Sequence, residues 1–175
     1  MATALQNLSD HNPDEIPNGS EMRIGIVVSE WNKDITGNLL KGATETLLAN
    51  GVKEEHIQVE WVPGSFELPS GAQYLLEYTK VEAVICLGSV IRGETSHFDF
   101  VCQGASLGIK DVSLAYKTPV VFGVLTDDTQ QQAIDRSGGK HGNKGDEAAV
   151  TALKMVAMKK KLKDGQRKKV TGFAR

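Results

Sequence analysis

The stretch of sequence that decides the fold is Ala83-Val84-Ile85-Cys86-Leu87-Gly88-Ser89-Val90-Ile91-Arg92-Gly93-Glu94-Thr95-Ser96-His97-Phe98. Its first five residues form an apolar run that predicts a buried strand, and apolar residues recur at helical spacing from Phe98 onward. The loop between them therefore leaves the carboxyl end of a strand and enters a helix. In parallel α/β proteins such loops line the ligand crevice, and the helix start offers unpaired N–H groups to an anion.

Predicted strands alternate with predicted helices on both sides of this stretch. The strands are expected at 23–28, 57–62, 83–87 and 120–125, and the helices at 35–48, 69–78 and 98–112, with a short helix opened by Asp127 or Asp128 and a last helix around 149–157. This alternation predicts an α/β fold with a parallel sheet covered on both faces. We expect a flavodoxin-like three-layer αβα arrangement with a four-stranded sheet in the order 2-1-3-4.

The chain has 175 residues, 40% of them hydrophobic, which predicts one domain, placed at residues 23–162. Residues 1–22 show no periodicity and predict an irregular N-terminal arm that could pair with the sheet edge of a neighbouring subunit. Residues 163–175 form a basic tail. Its lysines are not interleaved with aromatic residues, so a solvated tail is favoured over a nucleic-acid or membrane surface.

Composition argues against several classes of protein. The formal net charge of -2 gives no case for a nucleic-acid partner. The chain begins without a basic and apolar leader, and its apolar runs stay short of the ~20 residues of a membrane helix, so we expect a cytoplasmic protein with no membrane partner. Cys86 and Cys102 do not form a C-x-x-C pair, which favours reduced core thiols over a metal or redox site.

His97 lies in the first turn of the helix that follows the deciding stretch. Ser96-x-x-Asp99 has the pattern of a capping box, which predicts the helix start at this point. Imidazole titrates near neutral pH, so a histidine beside an anion-binding loop is a candidate for proton transfer. A surface or capping histidine is equally compatible with this position.

Further candidate residues follow the other strands. Trp31 and Asn32 suit stacking on a flat heterocycle and bonding to its edge, although a tryptophan that plugs the core explains the first residue equally well. Glu67 could accept hydroxyl hydrogen bonds, and Arg136 and Lys144 flank a Gly-rich stretch that suits a phosphate. That stretch does not satisfy the Walker pattern. Taken singly, a solvated glutamate and a solvated basic loop are the favoured readings.

Together these motifs resemble the lumazine synthases (6,7-dimethyl-8-ribityllumazine synthases) over about residues 23–162. The matching segments are Trp31-Asn32, Pro63-Gly64-Ser65-Phe66-Glu67, Gly88 to Phe98, Phe122-Gly123, and Arg136 with Gly142-Asn143-Lys144-Gly145. The resemblance implies that 5-amino-6-(D-ribitylamino)uracil condenses with 3,4-dihydroxy-2-butanone 4-phosphate to give 6,7-dimethyl-8-ribityllumazine, a riboflavin precursor, with release of phosphate and water. It implies no metal and no redox cofactor.

The resemblance also implies a role for each site residue. The substrate-binding residues would be Trp31, Asn32, Ser65, Phe66, Glu67, Val90, Ile91, Glu94, Thr95, Phe122, Arg136 and Lys144. Trp31 would stack on the pyrimidine, residues 65–67 would hold the ribityl chain and uracil edge, and His97 would transfer protons. Residues 94–95 would bind the phosphate together with Arg136. Phe122 and Lys144 would belong to the share of the site that an adjacent subunit contributes.

Two positions depart from the usual family pattern. Many relatives have phenylalanine in place of Trp31 and alanine in place of Glu94. A carboxylate beside a phosphate repels it, so we expect Glu94 to contribute through its backbone.

Other proteins with a flavodoxin-like fold have different functions. A phospho-receiver needs an aspartate at the end of its third strand, where this chain has Gly88-Ser89. A flavodoxin needs a hydroxyl-rich phosphate loop after its first strand, where this chain has Trp31-Asn32-Lys33. A scaffold that has lost catalysis is disfavoured by the complete set of His97, Arg136, Glu67 and Lys144.

The resemblance further implies a homo-oligomer built of pentamers. Relatives that form an icosahedral shell of sixty subunits keep the connection between Arg136 and Lys144 compact, and no insertion is evident here. We therefore expect the shell rather than the free pentamer, with riboflavin synthase as a possible further partner.

Overall fold

The computed structural model of the chain describes residues 7–171, with side chains described up to residue 165. Its main sheet contains the strands β1 (Ile24–Ser29), β2 (Ile57–Val62), β3 (Ala83–Ile91) and β4 (Val120–Asp127). The helices are α1 (Lys33–Ala49), α2 (Leu68–Tyr78), α3 (His97–Tyr116), α4 (Gln130–Arg136) and α5 (Lys144–Thr171). A short antiparallel pair, β5 (Ser137–Gly139) and β6 (Gly142–Asn143), lies between α4 and α5.

The main sheet confirms the predicted fold class. Its four strands run parallel in the order β2-β1-β3-β4. Ile24, at the start of β1, lies opposite Ile57 of β2 and Ala83 of β3. Because the strands all run in the same direction, their carboxyl ends share one edge of the sheet. The loops that follow β1, β2 and β3 are therefore brought together.

Helices cover both faces of the sheet, which gives the molecule two cores. On one face, Ile26, Ile85 and Leu153 belong to the cluster that packs the sheet against α1 and α5. On the other face, Val27 and Val84 belong to the cluster that packs it against α2 and α3. Successive residues of a strand point to opposite faces, so a strand buried on both sides must be apolar throughout. This explains the continuous apolar runs of β1 and β3.

Helices α1 and α5 cross in close contact because glycine stands on both sides of the crossing. A Cβ atom at Gly145 would meet the carbonyl oxygen of Leu39, and one at Gly42 would meet the side chain of Asn143. Asn143 also joins the helices through hydrogen bonds: its Nδ2 donates to the carbonyl oxygen of Asn38 at 2.8 Å, and its Oδ1 accepts from the Gly145 N–H at 2.8 Å.

The strands β3 and β4 continue beyond their predicted ends at Leu87 and Leu125. Ile91 at the end of β3 lies opposite Asp127 at the end of β4, so each strand supplies the hydrogen-bonding partner that the other needs. The Gly-rich connection predicted between Gly138 and Gly145 contains the pair β5 and β6. Gly142 has φ +78°, a conformation that glycine adopts without strain and that allows the chain to turn back on itself there.

The start of α4 differs from its prediction. The helix is capped by Thr129 and not by Asp127 or Asp128. The Thr129 Oγ1 accepts a hydrogen bond from the Gln132 N–H, and the Gln132 Oε1 accepts one from the Thr129 N–H, both at 3.3 Å. This reciprocal pair is a capping box.

The described part of the N-terminal arm contacts its own chain beside β5 and β6. The Leu8 N–H donates to the His141 carbonyl oxygen at 2.8 Å, and the Ser9 Oγ accepts from the Asn143 N–H at 2.9 Å. Residues 1–6 of the arm and 172–175 of the basic tail lie outside the described range. Pairing of the arm with a neighbouring sheet, and the domain bounds at 23 and 162, stay predictions.

Within residues 7–171, no helix combines the length and the apolar character that crossing a membrane requires.

Candidate active site

A cavity of about 600 Å³ opens at the carboxyl ends of the central strands. It is lined by Trp31, Gly64, Ser65, Phe66, Glu67, Ser89, Val90, Ile91, Gly93, Thr95, His97, Phe98, Phe100 and Val101. The loops after β1, β2 and β3 all contribute to it. Eight of the thirteen site residues named from the sequence lie in this lining: Trp31, Ser65, Phe66, Glu67, Val90, Ile91, Thr95 and His97.

The loop after β1 presents Trp31 at the cavity. Its side chain is 70% exposed, so it does not plug the core, which was the alternative explanation from sequence. The next residue, Asn32, does not line the cavity. It adopts the left-handed conformation, with φ 57°, and its Nδ2 donates to the Ser89 carbonyl oxygen at 3.0 Å. Asparagine tolerates this conformation better than most residues. Asn32 therefore fixes the Trp31 loop to the end of β3.

The loop after β2 forms a 3-10 turn over residues 65–67. Two glycines of neighbouring elements make room for its side chains. A Cβ atom at Gly88 would lie 2.6 Å from the Ser65 Oγ, and one at Gly104 would lie 2.6 Å from the Phe66 ring. Phe66 is 60% exposed and offers an aromatic face to the cavity. The Ser65 Oγ is buried and has no hydrogen-bond partner among the described residues.

The loop after β3 carries Thr95 and leads into α3, whose first residue is His97. The predicted start of this helix is confirmed, but the predicted capping box is wrong. Within the described chain, Ser96 makes no capping hydrogen bond through its side chain. Ser96 has helical φ and ψ of -64° and -3°, whereas a capping residue normally has an extended backbone. The Asp99 carboxylate pairs with Arg92, at 3.2 Å from Nη1. The Thr95 Oγ1 accepts from the His97 N–H at 3.4 Å.

Four other predicted site residues lie away from this lining. Phe122 is 37% exposed on β4, an edge strand of the sheet. Arg136 ends α4 and donates to the Gln132 carbonyl oxygen at 3.2 Å, while Lys144 forms an ion pair with Glu147 at 2.8 Å. Glu94 is exposed in the loop after β3. Within one chain, these side chains do not meet the heterocycle-sized space beside Trp31.

Asp127 is a buried carboxylate beside Arg136. It is 7% exposed, and its Oδ2 has no hydrogen-bond partner among the described residues. Its Oδ1 lies 3.9 Å from the Arg136 Nη1. Burial raises the pKa of Asp127, Arg136 opposes that rise, and the charge of Asp128 adds to it. The net direction is upward, so the charged form of Asp127 is disfavoured in the folded protein.

Sequence reasoning did not assign several lining residues to the site. Phe98 and Val101 were assigned to the apolar face of α3, and both also border the cavity. Phe100 lies between them and is 70% exposed. An aromatic residue on the polar side of an amphipathic helix, three positions after His97, is the signal that could have identified it.

Sequence comparison relates the chain to one family of known proteins. A sequence profile described as 6,7-dimethyl-8-ribityllumazine synthase matches residues 21–160. The protein of that name from Parabacteroides distasonis is 59% identical over 156 residues, which cover 89% of this chain and 98% of the relative. The protein of the same name from Cytophaga hutchinsonii is 57% identical over 157 residues, which cover 90% of this chain and 98% of the relative. Its namesake from Porphyromonas gingivalis is 53% identical over 160 residues, 91% and 99% of the two chains. The chain therefore belongs to the 6,7-dimethyl-8-ribityllumazine synthase family.

Proposed function

We infer that the protein condenses 5-amino-6-(D-ribitylamino)uracil with 3,4-dihydroxy-2-butanone 4-phosphate to 6,7-dimethyl-8-ribityllumazine, in riboflavin biosynthesis, with release of phosphate and water. Membership of the family supports this reaction. The observation that carries it in the structure is the cavity, in which four aromatic side chains, a carboxylate and a histidine line one space.

One part of the site binds the uracil substrate. The exposed faces of Trp31 and Phe66 suit a flat heterocycle, because offset stacking favours an aromatic plane. Glu67 and the unpartnered Ser65 Oγ offer an acceptor and a hydroxyl to the ribityl chain and the uracil edge. Val90 and Ile91 supply an apolar wall, and Asn32 holds the Trp31 loop in place.

A second part of the site, at the start of α3, binds the phosphorylated ketone. The positive end of a helix dipole attracts an anion to the first helical turn, and this helix has twenty residues. Thr95 adds a hydroxyl there, and Glu94 adds its backbone. His97 is then beside the reacting carbonyl and the phosphate, where it serves as the proton-transfer residue.

The chemistry needs protons moved rather than a protein nucleophile. The 5-amino group of the uracil substrate attacks the ketone, and a first water leaves as the imine forms. Phosphate leaves in a later elimination, and the ribityl-bearing nitrogen then attacks the remaining carbonyl and closes the ring with loss of a second water. A well-placed acid–base group contributes about 10²–10⁴-fold to such steps. Holding two substrates in reactive geometry supplies much of the remaining acceleration. An activated serine or cysteine is not required.

The site is completed, in this proposal, by a neighbouring copy of the chain. Phe122, Arg136 and Lys144 lie away from the cavity of their own chain and would reach the cavity of the next. Large apolar side chains remain exposed on one subunit, among them Tyr78 at 77% and Leu114 at 68%. Such exposure is typical of surfaces that associate. We propose pentamers assembled into a shell of sixty subunits in the cytoplasm, with riboflavin synthase as a further partner.

Two substitutions test the assignment of roles. His97→Ala should lower kcat by about 10²–10⁴-fold, the contribution of an acid–base group, with a smaller effect on KM. Arg136→Ala should mainly raise KM for the phosphorylated ketone, because it removes a charge that binds the phosphate. Lumazine formation, followed by absorbance in steady state, gives both constants. Wild-type kcat in His97→Ala would exclude the proton-transfer role, and a wild-type enzyme that forms no lumazine would exclude the proposed reaction itself.

A further inference from the structure

We propose that Arg92 is a positioning residue of this site, because its side chain joins the three segments that surround the His97 loop. The inference rests on the proposed function and extends it to a residue outside the cavity lining. Arg92 follows β3 directly and precedes the loop of residues 93–96.

The contacts of Arg92 reach both ends of that loop and the segment beside it. Its Nε lies 2.8 Å from the Asp128 Oδ1, in the connection between β4 and α4. Its Nη1 lies 3.2 Å from the Asp99 Oδ1, in the first turn of α3. Its backbone N–H donates to the Asp127 carbonyl oxygen at 2.9 Å, which continues the pairing of β3 with β4. One side chain thus spans the strand end, the helix start and the neighbouring connection.

A fourth contact links Arg92 to the cavity. The guanidinium carbon lies 4.0 Å from the centre of the Phe98 ring, within cation–π distance. Phe98 is only 8% exposed and lines the cavity directly after His97. The guanidinium therefore contacts a buried side chain in the first turn of α3 that also lines the cavity.

The loop itself has little else to hold it. Residues 92–97 are exposed, and a Cβ atom at Gly93 would meet no atom within 4 Å. Among the described residues, the Ser96 side chain does not cap the helix. The hydrogen bond from the His97 N–H to Thr95 stays within the loop and does not anchor it to the sheet. Arg92 supplies that anchor by fixing the residues on both sides.

Arginine is suited to this task in a way that lysine is not. Its planar guanidinium presents several N–H donors in a fixed fork and stacks on aromatic faces. Here Nε and Nη1 address two carboxylates while the plane meets the Phe98 ring. An ammonium group in the same place is a point charge and cannot satisfy the three contacts together.

The two ion pairs are exposed, since the side chains of Arg92, Asp99 and Asp128 keep 44%, 62% and 69% of their surface accessible. Exposed pairs add little to global stability. Loss of Arg92 should therefore leave the fold intact and displace the loop. This difference separates a positioning role from a merely structural one.

The test compares Arg92→Ala and Arg92→Lys with the control variant Lys41→Ala. Lys41 forms an exposed ion pair with Glu45 at 4.0 Å on α1, remote from the cavity lining. Each variant is measured for kcat, KM of both substrates, thermal midpoint and particle mass by light scattering. Arg92→Ala should lower kcat about 10- to 100-fold, the scale of a small misplacement of reacting groups. Arg92→Lys should recover only part of that loss, and Lys41→Ala should match wild type.

A double variant shows whether Arg92 acts through His97. If it does, Arg92→Ala should cost much less in a His97→Ala background, because the group that it positions is already gone. The inference would be overturned if the kcat losses of Arg92→Ala and His97→Ala multiplied in full in the double variant. It would also be overturned if Arg92→Lys recovered the full kcat, or if Arg92→Ala left kcat unchanged. An Arg92→Ala protein whose thermal midpoint or particle mass falls along with its activity would overturn it as well. Each of these outcomes presupposes an active wild type, so none is confused with failure of the proposed reaction.

Discussion

At the scale of single residues, the least ordinary feature is a buried carboxylate beside a candidate phosphate ligand. Asp127 has one oxygen near Arg136 and the other without a partner among the described residues. Burial raises its pKa in the folded protein. The carboxyl group therefore binds its proton more tightly when the chain is folded than when it is unfolded. Its effect on stability is fully favourable at low pH and is lost as the pH rises through the raised folded pKa.

Replacement of Asp127 by asparagine should remove the free-energy cost of burying a charged carboxylate. At pH 7 the charge must be buried in the wild type, so Asp127→Asn should raise the thermal midpoint by about 2–4 °C, the scale of roughly 1 kcal/mol in a chain of this size. The gain should shrink as the pH falls towards the ordinary carboxyl range, where Asp127 is neutral in both states. Differential scanning calorimetry at several pH values measures both effects. Asp111→Asn, on the exposed surface of α3, is the control.

At the scale of elements, the two helices that carry candidate phosphate ligands begin in different ways. Helix α4 has a complete capping box between Thr129 and Gln132, and Arg136 stands at its other end. Helix α3 begins after Ser96, whose side chain makes no capping bond within the described chain. The short helix is therefore stabilised by its cap, while the long helix is held by its packing and by Arg92.

This contrast predicts unequal effects of the same kind of substitution. Thr129→Ala should destabilise the protein by about 1 kcal/mol, the usual cost of losing a side-chain cap. Ser96→Ala should change stability by much less, because it removes no capping bond. Hydrogen exchange of the α4 amides and thermal midpoints measure the difference. Equal losses in the two variants would contradict the described caps.

Elements were predictable where they follow from the sequence pattern of their own residues. The apolar runs predicted the four strands, and the fixed handedness of parallel crossovers left few orders for them. The extension of β3 to Ile91 could not be predicted, because it depends on the register of β4. The predicted capping box at Ser96 is wrong because Ser96 has helical φ and ψ of -64° and -3°, whereas a capping residue normally has an extended backbone. The pattern of residue types does not reveal this backbone conformation.

The candidate site was likewise predictable only in part. Trp31, Glu67 and His97 follow three parallel strands, and topology alone predicts that they share an edge. The positions of Phe122 and Arg136 outside the cavity depend on the directions in which an edge strand and a short helix point. The sequence pattern contains no measure of those directions, so the resemblance to a family was needed to assign Phe122 to a neighbouring subunit.

At the scale of the whole molecule, the proposed sharing of the site between subunits would make assembly a condition of activity. The two halves can be separated genetically, because His97 lies in the cavity and Arg136 lies outside it. Chains carrying His97→Ala and chains carrying Arg136→Ala should each be impaired when alone. Co-expressed, they should form mixed particles in which about a quarter of the sites pair an intact His97 with an intact neighbouring Arg136.

Activity of the mixed particles well above either parent would support the shared site. The two parents mixed after separate assembly are the control, since their subunits have already closed their interfaces. Light scattering at moderate salt gives the particle mass in the same samples. A particle of only pentameric mass would exclude the shell, and a monomer with full activity would exclude the shared site as well.

The crossing of α1 and α5 has a consequence for how the chain folds during its synthesis. Helix α1 is synthesised before three of the four strands of the main sheet, whereas α5, which meets it at Gly42 and Gly145, follows all four. Until then, the face of β1 and β3 that carries Ile26 and Ile85 lacks its second covering helix. Translation proceeds at about 5–20 residues per second, so this apolar face stays exposed for several seconds before α5 can pack on it. The nascent protein therefore exposes this apolar face to other proteins until α5 emerges.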